Sequence, residues 1–116
     1  MKYVLLAYET EDAYAARTDP ERSEQYWGAW MAFGAALNEA GVTEGGAAVQ
    51  PPGTATTILV RDGDRQVQDG PYPDTKEQLG GWFIIDVPDL DVALEWAAKC
   101  PSSADGGTEV RPLLEM

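Results

Sequence analysis

The sequence predicts an α+β fold, with one antiparallel sheet and two helices on one of its faces. Three observations carry this. Strand-like runs at residues 2–8, 56–61, 81–87 and 108–114 are interleaved with two stretches of helical periodicity, at residues 20–40 and 90–99. The strand near the N-terminus and the one containing Trp82 are apolar on both faces, as a central strand with a layer over each face would be. Asp62-Gly63 is a two-residue hairpin signal between two short strands.

In residues 2–8, Tyr3, Leu5 and Ala7 point one way and Val4, Leu6 and Tyr8 the other. Residues 9–18 are polar and irregular, with at most a helical turn at 12–17. The first long helix is expected to begin at Asp19-Pro20, with Asp19 as N-cap and Pro20 at the first helical position, where a missing N–H costs nothing. Tyr26, Trp30, Phe33, Leu37 and Ala40 recur at spacings of four, three, four and three, a stripe that faces the sheet. Trp27 and Met31 widen it. Gly41 is placed to close the helix in the left-handed conformation.

Residues 45–54 hold three Gly and two Pro, so 47–50 reads as no more than a short edge segment. Residues 56–61 form the better strand, and 64–68 return antiparallel to it, polar apart from Val67 and suited to an edge. A turn dense in charge follows, with Gly70 and Pro71 forcing the chain round and Asp69, Asp74, Lys76 and Glu77 falling within nine residues. It runs into the strand 81–87. Pro88 stops that strand, Asp89 caps a helix over 90–99, and Leu90, Ala93, Leu94 and Ala97 are its expected buried stripe. Pro101 ends it, and a small-residue loop leads to the last strand, 108–114. The order is the ferredoxin-like βαββαβ plan with one additional strand arm. Both helices then lie on one face, and the other exposes large side chains, which predicts face-to-face pairing of two copies.

Bulk properties narrow the function. The 116 residues make one domain over 1–116, large enough for a core without disulfides. Eight basic residues against 20 acidic ones, net −12, argue against nucleic acid or an anionic membrane as the main target. No His and a single Cys remove the common zinc, haem and His-base arrangements, so no metal or cofactor is expected, and Cys100 reads as a structural thiol. The apolar run Val4-Leu-Leu-Ala7 is too short for a signal peptide or a span, and the expected location is the cytoplasm.

The motifs Asp69-Gly-Pro-Tyr72, Thr75-Lys-Glu77, Leu79-Gly-Gly81 and Glu109-Val-Arg-Pro-Leu113 resemble the DGPF branch of the YCII-related (YciI-like) proteins, with Tyr72 where the usual motif has Phe. The likeness runs from Lys2 to the last strand. It implies a ferredoxin-like fold paired into a dimeric α/β barrel, hence a homodimer. Some YciI-like proteins use a His with an Asp as an acid/base pair, and with no His here that pair cannot be carried over.

Asp69 transfers most directly from the motif. Its plain reading is an Asx-turn carboxylate; its functional reading is a general base. Lys76 and Glu77 are either a solvated pair or an anion-binding and proton-shuttling pair. Arg111 shares a strand face with Glu109, which suits cross-strand ion pairs or a carboxylate ligand. Tyr26, Trp27, Trp30, Tyr72 and Trp82 are candidate walls for a flat substrate, against core or interface packing. The expected function is a small enzyme, or small-molecule binder, without cofactor, acting by proton transfer or elimination next to a carbonyl on a cyclic or anionic metabolite. The alternative that the resemblance implies is a non-catalytic partner of an extracytoplasmic-function sigma factor.

Overall fold

The computed structural model describes residues 1–73 and 75–116; Asp74 of the charged turn lies outside them. Strand β1 (Lys2–Glu9) leads into a short helix α1 (Glu11–Ala15) and a 3-10 turn (Ala16–Thr18). The long helix α2 (Ser23–Glu39) follows, then β2 (Thr43–Ala48), β3 (Thr56–Arg61), β4 (Asp64–Asp69) and β5 (Gln78–Asp86). Helix α3 (Leu90–Lys99), the single turn α4 (Ser102–Asp105) and β6 (Gly107–Pro112) complete the chain.

The main sheet has the order β2-β5-β1-β6, with every neighbouring pair antiparallel. Alternation along β1 puts Tyr3, Leu5 and Ala7 inward, where they meet Phe33 and Leu37 of α2 and Ala93 and Ala97 of α3. Both helices therefore cover one face. The other face carries Val4, Leu6 and Tyr8 beside Trp82 and Ile84, in register as Leu6↔Trp82 and Val4↔Ile84 and none of them fully buried.

Four expectations need correction. The strand that completes the sheet is Thr43–Ala48, longer and earlier than the segment at 47–50, while the hairpin β3–β4 forms a separate two-stranded sheet. The Gly-rich β2 is tolerated at the edge because Gly46 and Gly81 let two backbones close up: a Cβ on Gly46 would meet Trp82 O at 2.5 Å, and one on Gly81 would meet Ala47 O at 2.7 Å. Helix α2 starts regularly at Ser23 with Arg22 in the cap position, because Asp19 heads a preceding turn: its Oδ1 accepts from Glu21 N (2.9 Å) and its carbonyl from Ser23 N (2.8 Å). On α3, Leu90 and Leu94 are about half exposed, and Val92 and Trp96 flank the buried Ala93 and Ala97 instead. Two small residues facing the sheet allow a close helix approach that turns the leucines outward.

Other expectations hold in detail. Asp89 Oδ1 accepts from Val92 N at 3.0 Å, capping α3. Gly41, at φ 70°, closes α2 in a Schellman motif, with Val42 N bonded to Leu37 O and Gly41 N to Asn38 O. Cys100 is buried. Among the described residues no helix is long and apolar enough to cross a membrane.

Candidate functional site

The inward parity of β1 runs one residue further than its apolar pattern, to Glu9. That carboxylate is only 2% exposed. A buried carboxylate must be paired and hydrogen-bonded to be tolerated, and the polar stretch after it supplies the partners. Thr10 caps α1 through a bond from Ala13 N (3.1 Å), which turns the chain so that the 3-10 segment returns Arg17 over the end of the sheet. Arg17 Nη2 lies 3.2 Å from Glu9 Oε2. From α2, the Tyr26 hydroxyl donates to Glu9 Oε1 at 2.5 Å and accepts from Arg17 Nε at 2.9 Å.

All five N–H groups of Arg17 are used. Besides Glu9 and Tyr26 they reach the Tyr14 hydroxyl (3.0 Å), Val49 O (2.6 Å) and Gly80 O (2.8 Å). The guanidinium also lies against the rings of Tyr14 and Trp27, 3.9 and 5.1 Å from their centroids. Gly80 is the extra residue where the β1–β5 register shifts, between Ala7↔Gly81 and Tyr8↔Leu79, so its carbonyl is available to Arg17. A Cβ at Gly80 would collide with the Glu9 carboxylate. The Leu79-Gly-Gly81 motif therefore has a packing reason at both glycines.

Burial first, and the hydrogen bond to Glu9 second, push the Tyr26 hydroxyl well above the usual phenol value, with Arg17 opposing. Burial raises Tyr14 as well. Tyr26 is thus a neutral donor through the physiological range.

Two cavities meet at this cluster. A groove of about 710 Å³ runs between α2 and the α3–α4 corner, lined by Glu9, Tyr26, Trp30, Phe33, Arg22 and Lys99 among others. A slot of about 180 Å³ lies between Trp27, Trp30, Phe83 and Arg17, floored by the backbone of Gly46 and Gly81. Trp30 borders both, its ring near-parallel to Phe83 with centroids 6.1 Å apart. Trp30 Nε1 is buried without a hydrogen-bond partner among the described residues. Such an orphan calls for a water or a ligand acceptor. Among the described residues no group of three or more His, Cys, Asp or Glu is arranged to hold a metal ion.

The residues singled out from sequence do not converge. Trp30 lies on the helix side of the sheet, whereas Trp82 and Arg111 lie on the open face. Arg111 is bonded to Glu109 of its own strand, Nε to Oε2 at 2.6 Å, a same-strand pair and not a cross-strand one. Asp69 ends β4 and is exposed, as are Tyr72, Lys76 and Glu77 in the connection to β5. Glu77 borders a cavity of about 510 Å³ with Tyr8, Pro71, Pro73, Gln78 and Leu79. Glu9 and Arg17 are not singled out by the sequence, and Tyr26 is singled out only as an aromatic that could wall a pocket. The signal was the parity of β1, which carries the Glu9 carboxylate to the inner face eight residues before Arg17.

Fold and site together define a small α+β protein, one antiparallel sheet roofed by two helices, with a buried acid–base cluster at the end of its first strand. The chain belongs to the YCII-related domain family, which matches residues 1–116. It is 35% identical over 115 residues to an uncharacterised protein of Rhizobium meliloti, covering 97% of this chain and 92% of that one. In structure it is similar to 5-chloro-2-hydroxyhydroquinone dehydrochlorinase (TftG) from Burkholderia phenoliruptrix AC1100, solved in complex with 2,5-dihydroxybenzoquinone. That likeness has a TM-score of 0.59 at 13% identity and covers 100% of this chain and 96% of the other.

Proposed function

We infer that this chain binds a small cyclic metabolite bearing a carbonyl or hydroxyl oxygen, and acts on it by proton transfer, in the groove between α2 and the end of β1. The observation that carries this is a buried carboxylate, Glu9, and a buried unsatisfied N–H, Trp30 Nε1, on the walls of one groove. Arg17 has no N–H to spare for a ligand and serves to hold Glu9. In this reading a ring oxygen accepts from Trp30 Nε1, and a proton next to the carbonyl passes to Glu9, with Tyr26 hydrogen-bonded behind it. The ring size is that of the dihydroxybenzoquinone bound by the structurally similar dehydrochlorinase.

Glu9 suits the role of base better than Asp69, because a carboxylate shielded from water responds to a bound ligand, whereas an exposed one on a hairpin end stays solvated. A second place for the same chemistry is the cavity under the charged turn, where Glu77 faces Tyr8 across about 510 Å³. A second copy packed on the open sheet face, forming the dimeric α/β barrel, would close that cavity.

The test is calorimetric titration and thermal shift with 2,5-dihydroxybenzoquinone and other small hydroxylated rings and ring acids. A ligand at 100 times its dissociation constant adds about 2.7 kcal/mol to the folded state. Binding should survive in Asp69→Asn and weaken in Glu9→Gln and Trp30→Phe, the latter keeping the stack on Phe83 while losing the N–H. Binding lost in Asp69→Asn or Glu77→Gln alone moves the site to the turn. No binding by any compound sinks the reading and favours an acidic dimer that docks on a basic protein surface, such as that of a sigma factor.

A further inference from the structure

The β3–β4 hairpin stands apart from the sheet. Ile58 lies opposite Val67, and Val60 is two residues along on the same face; all three side chains are more than half exposed. Every residue of β4 is exposed. Among the described residues neither strand packs extensively on any other element. A lone two-stranded hairpin is marginal in water, and three β-branched side chains on one open face make it a pairing surface without a cover.

The root of the hairpin is built rigidly. Gly70, at φ 103°, donates its N–H to Ala55 O at 2.7 Å and its carbonyl accepts from Thr57 Oγ1 at 2.8 Å. Ala55 and Pro71 at that root border the same cavity as Tyr8 and Leu79, which belong to the open end of the main sheet. The root of the hairpin therefore adjoins the open end of the main sheet.

We propose that the β3–β4 hairpin is a dimerisation arm whose Ile58, Val60 and Val67 face is covered by a second copy of this chain. Three arguments select a second copy as the occupant. Each chain has one open sheet face and one open arm, and a two-fold axis that pairs the sheets gives each arm a partner body in a closed assembly. The open face of four short strands measures roughly 400 Å² in plan from strand spacing and rise, about half of the ~800 Å² per partner of a standard interface; an arm supplies further contact. Charge also permits it. The segment from Thr56 to Asp69 carries two Arg against three Asp, a net −1 of the chain's −12, so another copy is only weakly repelled there. The Asp69-Gly-Pro-Tyr72 motif then has a structural role, as the pivot of the arm. This inference is independent of the reading of Glu9.

The experiment is sedimentation equilibrium of the full chain from nanomolar to ~100 μM, with far-UV circular dichroism as the check on folding. Wild type should be a dimer. Ile58→Ser/Val67→Ser should raise the dimer dissociation constant about a hundredfold or more, from the apolar surface removed, with an unchanged spectrum. Gln66→Ser, whose side chain is on the other face of the hairpin, should leave it within about twofold. A wild-type monomer throughout, or a dimer indifferent to the double substitution while Ile84→Asp on the sheet face dissociates it, overturns the arm. Amide hydrogen exchange of the wild-type dimer decides independently of any variant: protection of β3 and β4 that is lost on dilution supports the arm, and free exchange at every concentration refutes it.

Discussion

Arg17 Nη2 and Glu9 Oε2 stand 3.2 Å apart, with side chains 10% and 2% exposed, and this pair ties five elements together. Through Arg17 the 3-10 turn is bonded to β1 (Glu9), α1 (Tyr14), α2 (Tyr26), the chain after β2 (Val49) and β5 (Gly80). Removing one partner leaves a buried charge uncompensated. Arg17→Met is expected to lower the unfolding free energy by about 3–5 kcal/mol, and Arg17→Lys to recover little, since an ammonium has three donors on one centre where five in a planar fork are used. Glu9→Leu/Arg17→Met should be closer to wild type than Arg17→Met alone. Urea unfolding of the three variants measures this, and strict additivity of the single effects would show that the two groups are not coupled.

Gly80→Ala reaches the same pair from the backbone. Its Cβ would occupy the position of the Glu9 carboxylate and lie 3.1 Å from Arg17 Nη2, so the pair must shift. A cost of about 1–3 kcal/mol is expected, as for overpacking. Gly28→Ala is the control. It lies within α2 with open space around its Cβ, and alanine there should stabilise by up to ~1 kcal/mol. Equal effects at the two glycines in thermal unfolding would refute the steric account.

The raised Tyr26 and Tyr14 hydroxyls make stability fall on the alkaline side. Their unfolded value is about 10, and both are higher in the folded chain. Below pH 10 both states hold the proton and the contribution is complete. Above it the unfolded chain loses its protons first, so stability declines as pH rises. Tyr26→Phe should flatten that decline while lowering stability at neutral pH, because Glu9 and Arg17 each lose a partner. Urea midpoints from pH 8 to pH 11 distinguish the two effects, and an undiminished alkaline slope in Tyr26→Phe would assign it elsewhere.

The sheet and its helices were legible because their signals are local. Asp89 before the periodic run 90–99, Gly41 after α2 and Asp62-Gly63 between two short strands each act within a few residues, and each is found where the pattern placed it. The acid–base cluster was not legible, because Glu9 is one of 20 acidic residues and is set apart only by burial, which depends on Arg17, Tyr26 and Gly80 arriving from three other segments. Helix α3 shows the same limit. Leu90 and Leu94 have the spacing of a buried stripe, yet Ala93 and Ala97 face the sheet, since small side chains permit the closer packing. The hairpin's departure from the sheet follows from β2, whose glycines carry no strand propensity and whose pairing rests on close backbone contact with β5.

Gly41 and Gly70 both adopt positive φ, 70° and 103°, and neither Cβ position is crowded, so alanine at either meets a backbone penalty of about 1–2 kcal/mol without a clash. The consequences should differ. Gly41 closes α2 through bonds to Leu37 and Asn38, and Leu37 is fully buried in the core, so strain there is shared by the whole cooperative unit. Gly70 joins the hairpin to the body through Ala55 and Thr57, outside that core. Gly41→Ala should therefore lower the global unfolding midpoint in urea. Gly70→Ala should lower that midpoint less than Gly41→Ala does, while speeding amide exchange in β3 and β4. If Gly70→Ala shifts the global midpoint as far as Gly41→Ala does, the hairpin is part of the folding core and not a separate arm.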